Sequence, residues 1–467
     1  MADTQELDPK TPADDDAEGA LPPVLSTEWI DQVEELLEAG NSEELRDLVE
    51  PLPPADVADL VEALSSDDRI ALVQLLGDAL DAEVLPELDG AVRDEVLEAL
   101  EPDRLAAAVA DLESDDALEV VADLEPGQRE ELLGRLPEAD QVLLRQGLTY
   151  PEYTAGRLMQ RDLLAIPGFW TVGDTIDFLR ASSDLPDDFY DIFVVDPRHQ
   201  PIGQIALSRV LRNKRPVLIS DIMQAVTDPF PVTMDQEDLA HQFRQRNLTS
   251  APVVGEDGRL LGVVTIDDIV DVIDEEHEDD LLRMGGVREG DLYEAALDTT
   301  KARFRWLLVN LGTAILASIV IAMFEATIEQ IVALAVLMPI VASMGGNAGT
   351  QTLTVAVRAL AMRQLTRRNA MRIMWKEVIV GGINGLAFAL IAGLLSSLWF
   401  GDVLLGSVIG IAMIVNLVIA GFFGVAIPVG LDHFKIDPAV ASSVLLTTVT
   451  DVMGFFAFLG LAAVLLL

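Results

Sequence analysis

The chain has 467 residues, a formal net charge of -47, 78 acidic side chains, a half-hydrophobic composition and no cysteine. The lack of cysteine excludes thiolate metal sites, thiol catalysis and disulfides, and the acidity excludes a surface built for nucleic acid or anionic lipid. Nearly all of the acid precedes Thr300 and nearly all of the long apolar runs follow it, so the chain reads as multidomain, an acidic soluble region followed by a membrane region.

The opening stretch, MADTQELDPKTPADDDAEG, has neither the basic start nor the apolar core of a signal peptide. Residues 1–28 read as a disordered acidic leader. Over residues 29–150, LRDLVEPLPPADVADLVEAL, VRDEVLEALEPDRLAAAVADL and SDDALEVVADLEPGQREELLGRL share one form. Leucine and valine recur at three- and four-residue steps, and Pro or Asp marks the breaks. This predicts an all-α superhelical domain of stacked short helices.

The period changes over residues 151–274. DIFVVDPRHQPIGQIALSRVL (Asp191 to Leu211) and SAPVVGEDGRLLGVVTIDDIV (Ser250 to Val270) align without a gap. Each holds two strand-like runs, a polar turn, a glycine opening the second strand (Gly203, Gly262) and a following helix. The pair resembles tandem cystathionine-beta-synthase-type (CBS) modules, which implies an α/β domain and ligand sensing.

Residues 275–303 form a charged linker, with a helix through DVIDEEHEDDLLRM that Gly285-Gly286 can end. Five apolar segments follow, near 304–324, 329–357, 373–400, 403–429 and 437–467, each long enough to cross a bilayer and together predicting a five-helix all-α transmembrane domain. Lys301, Arg303 and Arg305 precede the first segment, and Arg358, Arg363, Arg367, Arg368, Arg372 and Lys376 lie between the second and third, whereas EATIE and FGDV carry no basic residue. The positive-inside rule then puts the soluble region in the cytoplasm and the C-terminus outside.

Three features carry chemistry. Asp451 lies deep in the fifth segment, where an ionisable side chain marks function; Thr447 and Thr448 share its helical face, and Gly454 follows. In PIVASMGGNAGTQ, Gly345, Gly346 and Asn347 interrupt an apolar run. The glycines predict either irregular backbone with freed carbonyls or a close backbone approach, and Asn347 adds an amide oxygen. Such oxygen donors suit a hard cation such as Mg²⁺, while the lack of intramembrane His or Cys disfavours soft metals. Asn384 and Asn416 read as interhelical hydrogen-bonding amides. The third feature is the acid of the linker, Asp267, Asp268, Asp271, Asp274, Glu275, Glu276, Glu278, Asp279 and Asp280, which faces Asp115, Asp116 and Glu119 of the helical domain in composition. Bare, these surfaces repel one another; a divalent cation held between them would draw them together.

Helical acidic domain, YPEYTAGRLM leading into two CBS modules, acidic helix, five spans, and the motifs PIVASMGGNAGTQ and TTVTDVMGFFAFLGLA together resemble the MgtE-type magnesium transporters over nearly the whole chain. The resemblance implies a Mg²⁺-selective homodimeric channel of the cytoplasmic membrane, not an enzyme, with a pore at the subunit interface. It implies pore roles for Asp451, the Thr447 carbonyl, Asn347, Gly345 and Gly346. It implies regulatory Mg²⁺ ligands at Asp268, Asp271, Glu276, Asp279 and Asp280 of a plug helix, at Asp235 and Glu237 of the second CBS module, and at Asp115 and Glu119. RNLTSAP departs from the family pattern: Asn247 replaces an acidic residue and Leu248 an aromatic one. That puts one Mg²⁺ ligand in doubt and makes adenine nucleotide at the CBS pair a weak expectation. The alternative is a Na⁺- or H⁺-coupled divalent-cation exchanger on the same scaffold, which the single firm intramembrane carboxylate disfavours. An aspartyl protease would need a second deep Asp and a metalloprotease a His-rich helix, and the sequence offers neither.

Overall fold

The structure, a computed structural model, describes residues 26–182, 185–186, 189–226, 229–287, 296–366 and 368–467. Nearly all of the expected acidic leader and part of the linker lie outside these residues. The chain divides into two compact units, with the boundary between Val272 and Ile273.

The first unit opens with short helices: α1 (Thr27–Ala39), α2 (Ser42–Val49), α3 (Pro54–Ala63), α4 (Ser66–Leu76), α5 (Val84–Glu87), α6 (Gly90–Ala99), α7 (Pro102–Asp111), α8 (Ser114–Asp123), α9 (Pro126–Leu133) and α10 (Glu138–Gly147). One local device ends several of them. A leucine adopts extended backbone at the C-cap, as Leu64, Leu100, Leu112 and Leu124 do. After Leu100 and Leu124, Pro102 and Pro126 start the next helix at its first position, as Pro54 does for α3, where the missing N–H costs nothing. The inter-helix angle is held by arginine. Arg69 donates to the Val61 and Glu62 carbonyls, and Arg129 donates to those of Val121, Ala122 and Leu124, satisfying helix-end acceptors that would otherwise be orphaned.

The CBS region follows: α11 (Ala155–Leu158), β1 (Ala165–Pro167), α12 (Val172–Ala181), β2 (Asp191–Val195), β3 (Pro201–Ala206), α13 (Leu207–Arg212), α14 (Ile219–Ile222), β4 (Gln224–Ala225), β5 (Phe230–Pro231), α15 (Gln236–Arg246), β6 (Ser250–Val254) and β7 (Leu260–Thr265). The sheets run β1-β2-β3-β4 and β5-β6-β7. Their registers repeat: Val194 pairs with Gly203 and Val253 with Gly262. Both glycines are needed because a backbone carbonyl and a methionine press on them: a Cβ would lie 2.9 Å from the Gln224 oxygen at Gly203 and 2.6 Å from the Gln160 oxygen at Gly262. A Cβ on Gly203 would lie 2.6 Å from the Met223 sulfur, and one on Gly262 2.7 Å from that of Met159. The second sheet takes its covering segment from far upstream, since Gln160 bridges to Val263.

The helix α16 (Ile266–Gly285) starts directly after β7, five residues before the helix read from the sequence. It ends at Gly286, whose φ of +71° is open to glycine without strain.

The second unit holds α17 (Ala296–Ala322), α18 (Glu325–Gln330), α19 (Ala333–Ala361), α20 (Ala370–Phe400), α21 (Val403–His433) and α22 (Pro438–Leu465). Five of its helices are long and apolar enough to cross a membrane, and the chain is a multi-pass membrane protein. α21 is the hub: 56% of its apolar window is buried, against 6% for that of α17. α20 approaches it along a glycine stripe; a Cβ on Gly381 would meet the Leu417 carbonyl at 2.4 Å and one on Gly385 the Ile414 Cα at 2.9 Å.

One expectation is corrected. The backbone of α19 is not irregular at Gly345-Gly346-Asn347: the helix is continuous from Ala333 to Ala361. Around the glycines the backbone stays within the helical hydrogen-bond ladder, as hydrocarbon demands. The glycines serve close approach, and only at Gly345; around Gly346 nothing lies within 4 Å of an added Cβ.

Candidate ion path and acidic metal sites

Asp451 sits halfway along α22 and is partly buried. Below it the threonines turn their hydroxyls onto the helix. Thr447 donates to the Ser443 and Val444 carbonyls, Thr448 to Val444, and Thr450 to the Thr447 carbonyl at 3.1 Å. The Thr447 carbonyl, the oxygen expected to face the ion, thus already accepts one side-chain bond. On α19, Gly345 and Gly349 face the protein interior, while Ser343, Asn347, Thr350 and Thr354 form an exposed polar stripe. Asn347 Nδ2 reaches Ser343 Oγ at 3.5 Å, and Thr350 donates to the Gly346 carbonyl. The two interhelical amides part company. Asn416 is fully buried and donates to the Val341 carbonyl, whereas Asn384 is exposed.

A second carboxylate lies in a span. Glu377, seven residues into α20, has a side chain only 11% exposed; Thr352 of α19 donates to it at 3.3 Å and Lys376 pairs with it at 3.2 Å.

The first unit gathers acid around Asp115 of α8. Both carboxylate oxygens of Asp115 are buried and accept no hydrogen bond. Burial first, then the charges of Asp268, Asp116 and Glu113, pushes its pKa well above the ordinary carboxylate value. Burial and then Asp268 push Asp116 up to about 7. Burial also pushes Asp268 up to about 6, although Thr265 donates to it through backbone N–H and hydroxyl and opposes the shift. Asp271 adds charge beside Glu87, whose pKa is raised first by burial and then by Asp271. Four carboxylates with raised pKa, Glu87, Asp115, Asp116 and Asp268, fit a divalent cation in the chemistry of their donors. Among the described residues, no group of three or more His, Asp or Glu side chains is already set in metal-holding geometry.

Other expected ligands are placed elsewhere. Glu119 is held by Arg93 Nη1 at 2.6 Å, in a pairing that also includes Asp123. Asp235 caps α15 by accepting from Glu237 N–H, with Glu237 in the first turn. Between the CBS repeats a cavity of about 140 Å³ is lined by Tyr190, Asp191, Thr265 and Asp267 among others. That is below the volume a drug-sized ligand fills, about 300 Å³ or more.

At its other end α16 meets the second unit's own helices. Arg283 Nη1 pairs with Asp437 at 2.6 Å, and Arg283 also pairs with Asp279 one turn back. Asp437 is the N-cap of α22, the helix that carries Asp451. Asp280 has its pKa raised, first by burial and then by Asp437 and Glu276. Met284 packs with Leu353 and Val357 of α19 and with Ala439 and Leu446 of α22. The sequence reading named Asp279, Asp280 and Glu276 but missed Asp437, whose one signal was its place just before Pro438.

Comparison with known proteins agrees with this arrangement. The family model described as MgtE, divalent cation transporter, matches residues 338–461; that for the MgtE intracellular N domain matches 52–153, and that for the CBS domain 219–275. The "Magnesium transporter MgtE" of Enterococcus faecalis is 32% identical over 320 residues, covering 68% of this chain and 71% of that protein. The protein of the same name from Thermus thermophilus is 33% identical over 321 residues, again covering 68% and 71%. A crystal structure of the cytosolic domain of the Mg²⁺ channel MgtE in complex with ATP is 31% identical with a TM-score of 0.48, covering 52% of this chain and 99% of that one. With models of the family matching both its helical N-terminal domain and its membrane domain, and relatives a third identical over two thirds of their length, the chain belongs to the MgtE family of magnesium transporters.

Proposed function

We propose that the protein is a Mg²⁺-selective channel for Mg²⁺ uptake across the cytoplasmic membrane, a homodimer whose pore is closed by cytosolic Mg²⁺. The observation that carries this is α16. Its first turns hold Asp268 and Asp271 in the Asp115 acidic cluster, and its last turn holds Arg283 and Met284 on the cytoplasmic ends of α19 and α22. One continuous helix of twenty residues therefore runs from the ion-sensitive cluster at its start to contacts with α19 and α22 at its end. Cation binding at the cluster favours the arrangement in which the carboxylates sit together. A ligand shifts a gate only by binding one state better, and bridging sites do so.

Entry needs no second ion. A divalent cation gains about 4.6 kcal/mol per 100 mV of inside-negative potential. Asp451 supplies the charge that draws Mg²⁺ into the span, with Asn347 and the Thr447 carbonyl as oxygen donors to its water shell. The soluble unit faces the cytoplasm and the C-terminus lies outside, as the basic residues flanking the spans direct.

Glu377 favours a second reading. A second buried intramembrane carboxylate gives a Na⁺- or H⁺-coupled exchanger a place to carry its driving ion. Inside-out patches of reconstituted protein test both. Currents that open at low bath Mg²⁺, shut at millimolar Mg²⁺ and vanish in Asp451→Ala are the expected result. Silent membranes, with isotope uptake that requires a Na⁺ or H⁺ gradient, would establish the exchanger instead.

A further inference from the structure

One buried amide has no part in the reading above. Asn416 lies midway along α21, in the most apolar of the five spans, and none of its surface is exposed. Its Nδ2 donates to the Val341 carbonyl of α19 at 2.9 Å, and its Oδ1 is buried and accepts no hydrogen bond. The amide is seated between glycines of two other helices. A Cβ on Gly345 of α19 would lie 2.1 Å from Asn416 Nδ2, and a Cβ on Gly454 of α22 would lie 2.7 Å from the same atom.

Packing alone does not call for this residue. A leucine has the same branching and number of side-chain heavy atoms without a polar atom to satisfy, and a half-satisfied amide is costly in hydrocarbon. What the amide adds is direction. Its bond to Val341 fixes the height of α19 along the bundle, because sliding that helix by one residue moves it about 1.5 Å and breaks the bond. The two flanking glycines fix α22 against the same side chain. Asn347 stands two residues beyond Gly345, and Asp451 stands three residues before Gly454. Asn416 therefore sets the axial spacing between the two polar levels that meet the ion.

We propose that Asn416 is a positioning residue for ion selection. It touches neither the ion nor its water shell; it holds the Asn347 level of α19 and the Asp451 level of α22 at the spacing that suits one hydrated divalent cation over another. The inference rests on the channel reading and names what sets that channel's selectivity.

The test is the reversal potential of the full-length protein in planar bilayers, with Mg²⁺ on one side and Ca²⁺ on the other. Asn416→Ala, Asn416→Leu and Gly345→Ala are compared with wild type. The expected result is a Ca²⁺-to-Mg²⁺ permeability ratio changed by about tenfold, the lower range for losing a partner that orients an ion's ligands. Closure by cytosolic Mg²⁺ should persist. An asparagine needed for folding alone would reduce the number of channels and leave the reversal potential where it was, and that outcome overturns the inference. Should neither Asn416 variant reach the membrane, Gly345→Ala decides, since it presses one methyl against the same amide; an unchanged ratio there overturns the inference equally. A silent wild type is read first, and it removes the channel reading together with this inference.

Discussion

A carboxylate nine-tenths buried and without a donor is unstable as an ion. Asp115 is 9% exposed, with both oxygens unpaired and with Asp268, Asp116 and Glu113 as charged neighbours. An unfolded Asp titrates near 3.9, whereas Asp116 is pushed up to about 7 and Asp268 to about 6 by burial and neighbouring charge. The folded cluster thus binds more protons than the unfolded chain between about pH 4 and pH 7. Its stability is full below that window and is lost as pH rises through it. A bound divalent cation supplies the missing positive charge above the window. In Mg²⁺-free buffer the thermal midpoint of the full-length protein should therefore fall by several degrees from about pH 5 to about pH 8, and millimolar Mg²⁺ should remove most of the fall. Asp115→Asn should raise the Mg²⁺-free midpoint at the higher pH and shrink the gain from Mg²⁺. Differential scanning fluorimetry reads both, and a Mg²⁺ gain as large as in wild type would mean that Asp115 holds no ion.

At the scale of the element, α16 is tied down by a side-chain cation. Arg283 bridges Asp279 on its own helix to Asp437 at the start of α22. The Arg283 side chain is 42% exposed, so solvent screens the pair, and about 0.5–1 kcal/mol is a fair discounted value. Arg283→Ala should leave the pore conducting and raise the cytosolic Mg²⁺ needed for half-closure by about two- to fivefold, as that energy sets. Inside-out patches with stepped Mg²⁺ measure the midpoint; a midpoint that stays put, or falls, would show that Arg283 does not help hold the closed arrangement. This contact was not legible in the sequence. The helix itself was, from its charge run and its glycine stop, and so was Asp451, because a lone carboxylate stands out in an apolar span. Asp437 carries no sign of Arg283 in the sequence, because that partner lies 154 residues away. The same distance problem hid why Gly345 is glycine: Asn416 sits in a different span, and periodicity along one helix says nothing of which neighbour it meets. The expectation of irregular backbone at the GGN motif failed for a related reason. Low helix propensity was read as a break, but hydrocarbon enforces the helix, and the glycine is spent on close approach.

For the whole molecule, the exposed stripe of α19 is the feature that a single copy leaves unexplained. Ser343, Asn347, Thr350 and Thr354 face outward from a membrane span. Lipid tails offer these groups no hydrogen bonds, so the stripe needs water or another protein surface beside it. In the homodimer proposed above, a second copy related by a two-fold axis would provide both, with the same stripe facing itself across a shared aqueous path. The chain has no cysteine, so single substitutions there introduce the protein's sole thiols. Asn347→Cys and Thr350→Cys, in membranes treated with short thiol-to-thiol crosslinkers, should give a covalent dimer on denaturing gels. A cysteine on an exposed apolar face of α20, such as Ile383→Cys, should give little. Mg²⁺ currents through the Asn347→Cys protein should fall when a positively charged thiol reagent enters from the aqueous side, because the modified residue then lines the path. Equal crosslinking at the α20 position, or crosslinking at α19 with currents untouched by the reagent, would place the pore away from the GGN face.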